Sequence, residues 1–171
     1  DTLRSSTVTA GIPLGFLDDN VSLHGSERMG IPVLGSTSDL GGIPHCGVVI
    51  GVGNNRVRSR IASTLQAQGE VFITVVHPRA WVAPGVTIGA GSVLFANVVV
   101  NTGSRVGAHV ILNTGCTIDH HNDLGDYVHI APGAHLGGDV VAGEGVFVGI
   151  GGIVMPQRKL GAWATVGAGA L

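Results

Sequence analysis

The sequence predicts two units in series, a short α/β, Rossmann-like subdomain over residues 1–76 and a parallel β-helix over residues 77–171. Three observations carry this. Fifteen positions from Val82 to Val166 recur at a spacing of six, and all but Ala142 are Val, Ile or Leu. A second register two residues earlier, Ala80 to Ala164, is small or β-branched except at Asn122 and Arg158. The first 76 residues lack this period and mix short apolar runs with a helical pattern.

A period of six matches neither a helix nor plain strand alternation, so each hexad reads as one short strand and one turn. Three hexads close a triangular coil of eighteen residues, with both registers pointing inward onto the coils above and below. Gly follows the aliphatic position at Gly89, Gly107, Gly125 and Gly149, where a tight turn favours a residue without a Cβ. From Val82 to Leu171 the pattern makes about five coils, roughly 24 Å of strands stacked at about 4.8 Å. A column of aliphatics needs few aromatics, so the 4% aromatic content and 29 glycines are consequences of the fold.

In the first unit, Ile12–Leu17 and Val48–Val52 read as strands, ending in Asp18-Asp19 and in Gly53-Asn54-Asn55. Asn55 to Gln68 reads as a helix with Val57, Ile61 and Leu65 on one face and Gly69 as its stop. Phe72–Val76 is a further strand, and His77-Pro78 breaks into the β-helix. Strand, helix, strand, helix, strand makes a small parallel α/β domain. Its ligand belongs beyond the strand carboxyl ends, at Asp18, Asp19, Gly53 and Asn54. A glycine-rich phosphate loop about twenty residues before Asp18 would precede Asp1. Residues 1–4 read as a helix tail and the last coil ends uncapped at Leu171, so a chain trimmed at both ends is expected.

A formal charge of −2 without a basic cluster argues against nucleic acid or anionic membrane partners. No apolar stretch approaches the length of a membrane span, and the cytoplasm is the expected location. Cys46 and Cys116 fall in different units, with Cys116 in an inward slot, so neither a disulfide nor a thiol nucleophile is expected.

The polar turn Asp119-His120-His121-Asn122 interrupts a bland coil. Stacking by eighteen puts Asn101 beneath Asp119 and His120 between Thr102 and Gly138, both of these two small, which leaves an open groove beside the imidazole. The eight histidines raise a metal reading, but two coils before His129 and His135 stand Val93 and Val99, so no metal is expected. His24, His45 and His109 read as surface or packing residues.

Several segments, in this order, carry a family resemblance over nearly the whole chain. They are Gly15-Phe16-Leu17-Asp18-Asp19, Gly30 to Gly35, Gly53-Asn54-Asn55, His77-Pro78, Asn113-Thr114-Gly115, Asp119-His120, Gly125 to Gly133 and Gly137-Gly138. The chain resembles the bacterial sugar O- and N-acetyltransferases of the hexapeptide-repeat superfamily, which include the sialic acid O-acetyltransferases and the acetyltransferases of nucleotide-linked 4-amino sugars. The resemblance implies a left-handed β-helix and a homotrimer. It makes His120 the general base, has Asp18 and Asp19 grip the nucleotide, and sets acetyl-CoA in an intersubunit groove near His129, Gly138 and Ile150. Family members often follow the base with Asp or Glu, where this chain has His121. Either Asp119 or a group from another subunit then orients the ring, or activity is reduced, or His121 is itself the base.

The reaction this implies is N-acetylation of a nucleotide-linked 4-amino-dideoxyhexose by direct transfer in a ternary complex. A histidine can accept the amine's proton near neutral pH, and the exposed backbone N–H groups near Gly138 are candidate donors for the oxyanion. The alternatives are an O-acetyltransferase acting on sialic acid or another sugar, and a non-catalytic sugar-nucleotide-binding β-helix module. A lipid acyltransferase using an acyl carrier protein shares the β-helix and histidine but differs in front domain and groove. The sugar and its nucleotide carrier are not readable from the sequence.

Overall fold

A computed structural model describes Thr2 and residues 11–171. Apart from Thr2, the helix tail expected at residues 1–4 lies outside the described residues.

The β-helix follows its period closely. Beginning with Val75–Val76 (β4), sixteen two-residue strands, β4 to β19, form three parallel sheets of six, five and five strands. Each strand pairs with the one eighteen residues later, as Val93 with Ile111 and Ile111 with His129 on the first face. Their amides donate up the stack, Val93 N–H to the Val110 carbonyl at 2.8 Å and Ile111 N–H to that of Val128 at 2.9 Å. Leu94, Leu112, Ile118, Leu124 and Ile130 are fully buried along the axis, and Val98, Val110, Val128 and Val140 fill the second column. The fold is an α/β subdomain followed by a left-handed parallel β-helix.

The glycines after the aliphatic position owe their place to something other than a left-handed turn. A Cβ at Gly89 would lie 2.5 Å from the Ala108 amide nitrogen, and one at Gly125 2.8 Å from that of Glu144. They permit close approach by the next coil. Left-handed backbone falls two residues further on, at Gly91 and Gly103 but also at His109, His121 and Asp139, with φ of 55°, 58° and 59° for these three.

The N-terminal segment departs further from expectation. Phe16–Leu17 (β1) is the only regular strand within Ile12–Leu17, and it pairs in parallel with Ile31–Gly35 (β3). Glu27–Arg28 (β2) pairs with β3 antiparallel across a turn at Met29 and Gly30, with φ of 54° and 69°. The first expected helix is replaced by two 3₁₀ turns, Val21–Leu23 and Thr37–Gly42. Val48 makes an isolated bridge to Phe72, and Val75–Val76, read from sequence as an end of the α/β sheet, pairs with Val93–Leu94 in the β-helix.

The helix Asn55–Ala67 (α1) forms as expected, but its buried face is Asn55, Arg58, Ala62 and Leu65, displaced from Val57, Ile61 and Leu65. The reason is Arg58, 1% exposed and lacking a carboxylate partner among the described residues. Its guanidinium donates to the carbonyls of Val52 (2.9 Å), His109 (2.9 Å) and Tyr127 (2.7 Å), and to Asn55 Oδ1 (2.8 Å). Burial draws its pKa down to about 10, so it stays charged at neutral pH and fastens α1 to two successive coils.

Candidate active site

The turn 119–122 sits at the corner between the second and third faces. Ile118 and Asn122 both point inward and are buried, so the residues between them must protrude. Asn122, the oddity in the small-residue register, explains the rigidity of this corner. Its amide donates to the carbonyls of Asp119 (2.6 Å) and Gly137 (3.0 Å) and accepts from Val140 N–H (3.2 Å). A Val here would fill the column but remove the donor to the Gly137 carbonyl and leave the Asp119 carbonyl with Ser104 Oγ–H alone.

Asp119 Oδ1 accepts from the His120 amide at 2.8 Å and from Asn101 Nδ2 at 3.1 Å, the latter as stacking anticipates. The carboxylate thus holds the main chain of His120 and makes no hydrogen bond to its ring. The ring's Nδ1 instead lies 3.0 Å from Nδ1 of His121, one donating and the other accepting, with the rings edge to face at 75°. His120 Nε2 has no hydrogen-bond partner among the described residues. The ring leans across Gly138, where a Cβ would come within 2.7 Å of Nε2. The Gly138 N–H likewise has no acceptor among the described residues. Beside this corner opens a groove of about 450 Å³, lined by Asn101, Thr117, Asp119, His135, Gly137 and Ile153 among others.

Other residues singled out from sequence lie elsewhere. Ile150, 63% exposed, occupies the corner between the first and second faces, a different edge of the prism from Gly138. His129 lies on the first face and is 9% exposed. Its Nδ1–H donates to the Gly53 carbonyl at 3.1 Å, leaving Nε2 as acceptor 3.4 Å from Asn113 Nδ2. Burial holds its pKa below the usual value, partly offset by that bond to Gly53, while the Arg58 charge lowers it further. One chain therefore joins Asp119, His120, His121 and Gly138 but leaves Ile150 apart.

In the N-terminal segment, Asp19 Oδ1 accepts from Thr37 N–H (2.9 Å) and Thr37 Oγ1–H (2.8 Å), which lowers its pKa. Among the described residues, Asp18 Oδ1 accepts only from the Asn20 amide, at 2.9 Å. Asn54 caps α1 by accepting from Val57 N–H at 3.1 Å. Gly53 and Asn54 border a separate hollow of about 300 Å³ with Arg56, whose guanidinium lies 4.6 Å from the Trp163 ring centroid.

Sequence reading missed two groups. Arg58 was missed because a charged residue in a helix is ordinarily assigned to the wet side. Asp139 was missed although it lies eighteen residues after His121. One ligand atom from each of His120, His121 and Asp139 falls within 4.8 Å of the other two, and all three side chains are exposed. They are the group among the described residues that could hold a cation. Cys116 is buried, its thiol pushed up to about 12 by burial, which suits packing and not nucleophilic work.

A β-helix whose corner carries an unblocked imidazole beside a free backbone N–H, joined to an α/β segment, defines the class of hexapeptide-repeat acyltransferase folds. A family model described as the PglD N-terminal domain matches residues 9–65. The acetyltransferase domain of PglB from Neisseria gonorrhoeae FA1090, solved in complex with acetyl coenzyme A, superposes with a TM-score of 0.90 at 38% identity, over 99% of this chain and 82% of that one. PerB from Caulobacter crescentus, solved with CoA and GDP-perosamine, gives 0.84 at 32% identity, over 91% of this chain and 74% of that one. GDP-perosamine N-acetyltransferase of Escherichia coli O157:H7 is 31% identical over 114 residues, covering 65% of this chain; the matched stretch spans about half of that relative, 52%. The chain belongs to the bacterial sugar O-/N-acetyltransferase family of the hexapeptide-repeat superfamily. No helix among the described residues is long and apolar enough to cross a membrane.

Proposed function

We propose that this chain carries the catalytic β-helix, residues 77–171, and a nucleotide-binding segment, residues 1–76, of an acetyl-CoA-dependent N-acetyltransferase acting on a nucleotide-linked 4-amino-dideoxyhexose. The observation that carries the reading is the His120 corner, where Nδ1 is tied to His121 while Nε2 has no partner among the described residues, next to a groove that reaches the neighbouring Asp119 and Gly137. Relatives named for the acetylation of amino-sugar nucleotides support the substrate class.

In this mechanism the sugar amine attacks the thioester carbonyl and passes a proton to His120 Nε2, a contribution worth about 10² to 10⁴ in rate. The Gly138 N–H donates to the developing oxyanion, since no acceptor among the described residues competes for it. The tetrahedral intermediate collapses with cleavage of the C–S bond, CoA leaves as its thiol with the proton that His120 took, and transfer is direct, without an acyl-enzyme. His129 and Ile150 contact acetyl-CoA from a second copy of the chain in a trimer, which accounts for their separation from Gly138 within one copy. Asp18 contacts the nucleotide.

The test is turnover by the full-length protein with acetyl-CoA and a panel of nucleotide-linked 4-amino-4,6-dideoxyhexoses, alongside sialic acid, following thiol release and product mass. A base-stable acetyl product on one amino-sugar nucleotide supports the reading. A base-labile product on sialic acid replaces it with O-acetylation, and binding without thiol release replaces it with a non-catalytic module.

A further inference from the structure

Left-handed corners in this β-helix share a packing rule. The side chain at such a position leans over the residue eighteen earlier, so the His109 ring covers Gly91, the His121 ring covers Gly103 and the Trp163 ring covers Gly145. Asp139 is itself a left-handed corner, eighteen residues after His121, and the same lean directs its carboxylate toward His121. Its amide is fixed by donation to the His120 carbonyl at 3.0 Å. A carboxylate oxygen then lies within 4.8 Å of a ring nitrogen of both histidines. Asp119, the nearer acid in sequence, has its Oδ1 occupied by main-chain and Asn101 donors.

We infer that Asp139 and His121 form a positioning relay that fixes the tautomer of His120, an assignment that rests on His120 being the base. A base acting through Nε2 must carry its own proton on Nδ1. With the two Nδ1 atoms 3.0 Å apart, that proton is donated to His121 Nδ1, which obliges His121 to carry its proton on Nε2. The remaining N–H makes no ion pair with the Asp139 carboxylate within 4.0 Å as the side chains stand, and a side-chain rotation brings the two together. When His120 Nε2 accepts the substrate proton, the Nδ1 proton is shared toward His121 and the positive charge spreads over two imidazoles facing one carboxylate. No bond other than N–H changes, and the proton count is conserved. The ionisable groups around His120 are His121, Asp119 and Asp139; the coil beneath presents Asn101, Thr102 and Gly103, none of them ionisable. The acid that commonly follows the base in sequence is thus supplied one coil higher.

The experiment combines ring-¹⁵N histidine NMR with steady-state kinetics on the full-length protein, its Asp139→Asn and Asp139→Glu variants, and His121→Ala. The wild type is expected to show His120 protonated on Nδ1 at neutral pH. Asp139→Asn should mix the tautomers and lower kcat about tenfold, in line with outer-shell partners of functional histidines, with KM for acetyl-CoA unchanged. Asp139→Glu should restore most of kcat. An unaltered His120 tautomer and kcat in Asp139→Asn overturns the relay, as does loss of wild-type turnover in EDTA, which would make the cluster a metal site. Should the wild type acetylate nothing in the panel while the tautomer still responds to Asp139→Asn, the relay stands and the acetyltransferase reading falls. His121→Ala reads the same tautomer if Asp139→Asn fails to fold.

Discussion

The guanidinium of Arg58 donates 2.7 Å to the carbonyl of Tyr127, while its Nε donates 2.9 Å to that of His109, one coil below. One buried cation thereby ties α1 to two rungs of the β-helix without an acidic partner among the described residues. Replacing Arg58 by Ala leaves several buried carbonyls without donors and should destabilise the α/β segment by about 3 kcal/mol. Denaturant melts should show that segment releasing before the β-helix. A single unshifted transition would mean that apolar packing of Ala62 and Leu65 holds it.

His120→Ala should lower turnover at least about a hundredfold, the usual worth of a positioned general base, and leave acetyl-CoA affinity little changed. Calorimetric titration beside steady-state rates separates the two. Equal losses would assign His120 to binding.

Gly138→Ala tests the close approach directly. The backbone there tolerates alanine, since its φ lies outside the left-handed region. The new methyl, however, lands on the imidazole, 2.7 Å from Nε2. Melting temperature should hold while kcat falls about tenfold or more, as expected when a catalytic group is displaced by roughly an ångström. Wild-type turnover in this variant would show that the ring works from another rotamer.

The adjacent aspartates should separate cleanly. Asp18→Ala is expected to raise KM for the sugar nucleotide with kcat and fold stability nearly intact. Asp19→Ala removes the acceptor of two Thr37 hydrogen bonds and should loosen the 3₁₀ turn Thr37–Gly42, seen as faster amide exchange at Thr37. If both variants gave the same KM and the same exchange, the division of labour would be wrong.

Acid should destabilise the fold through its buried histidines. His109 is edge-on to Phe72, stacked on Tyr127 and without a partner for Nδ1. Burial first, and the charge of Arg58 second, hold its pKa below the ordinary 6.5, and burial does the same at His129. A folded-state pKa below the unfolded one means that unfolding takes up protons. That stability is present above pH 6.5 and is lost as pH falls through the folded value. His45 has the opposite sign: the Ile43 carbonyl and Glu70 raise it, so its share is present below 6.5 and lost as pH rises through its folded value. Urea melts between pH 7.5 and 5 (about the span over which such groups titrate) should show stability falling with acid. His109→Phe should flatten that slope while keeping the ring stack. An unchanged slope would leave His129 as the sole source.

The β-helix was legible because its period of six is imposed at every coil, so single exceptions such as Ala142 do not obscure it. Asn122 stood out as an exception, but that it braces the corner depends on carbonyls it meets across the coil, at Gly137 and Asp119. The N-terminal segment was less legible. Ile12–Leu17 is apolar along its length yet yields strand only at its end, and Gly30 to Gly35 proved to be half of a hairpin. Apolar runs of this length report burial more than conformation. Within the site, the stack relating Asn101 to Asp119 and Gly138 to His120 was visible by counting eighteen, and the same count from His121 leads to Asp139. What counting could not show was which side chains lean up and which down, because that depends on the sign of φ at each corner.

Stacking of this kind also governs how such a protein can change over generations. A corner residue has vertical neighbours only eighteen places before and after it, so a loss at one position can be made good by a gain at a fixed distance along the chain, without disturbing the rest of the coil. In this architecture, paired substitutions would be inherited at multiples of eighteen, and Asn101 with Asp119, or His121 with Asp139, are two such columns in which a new chemistry can be spelled vertically.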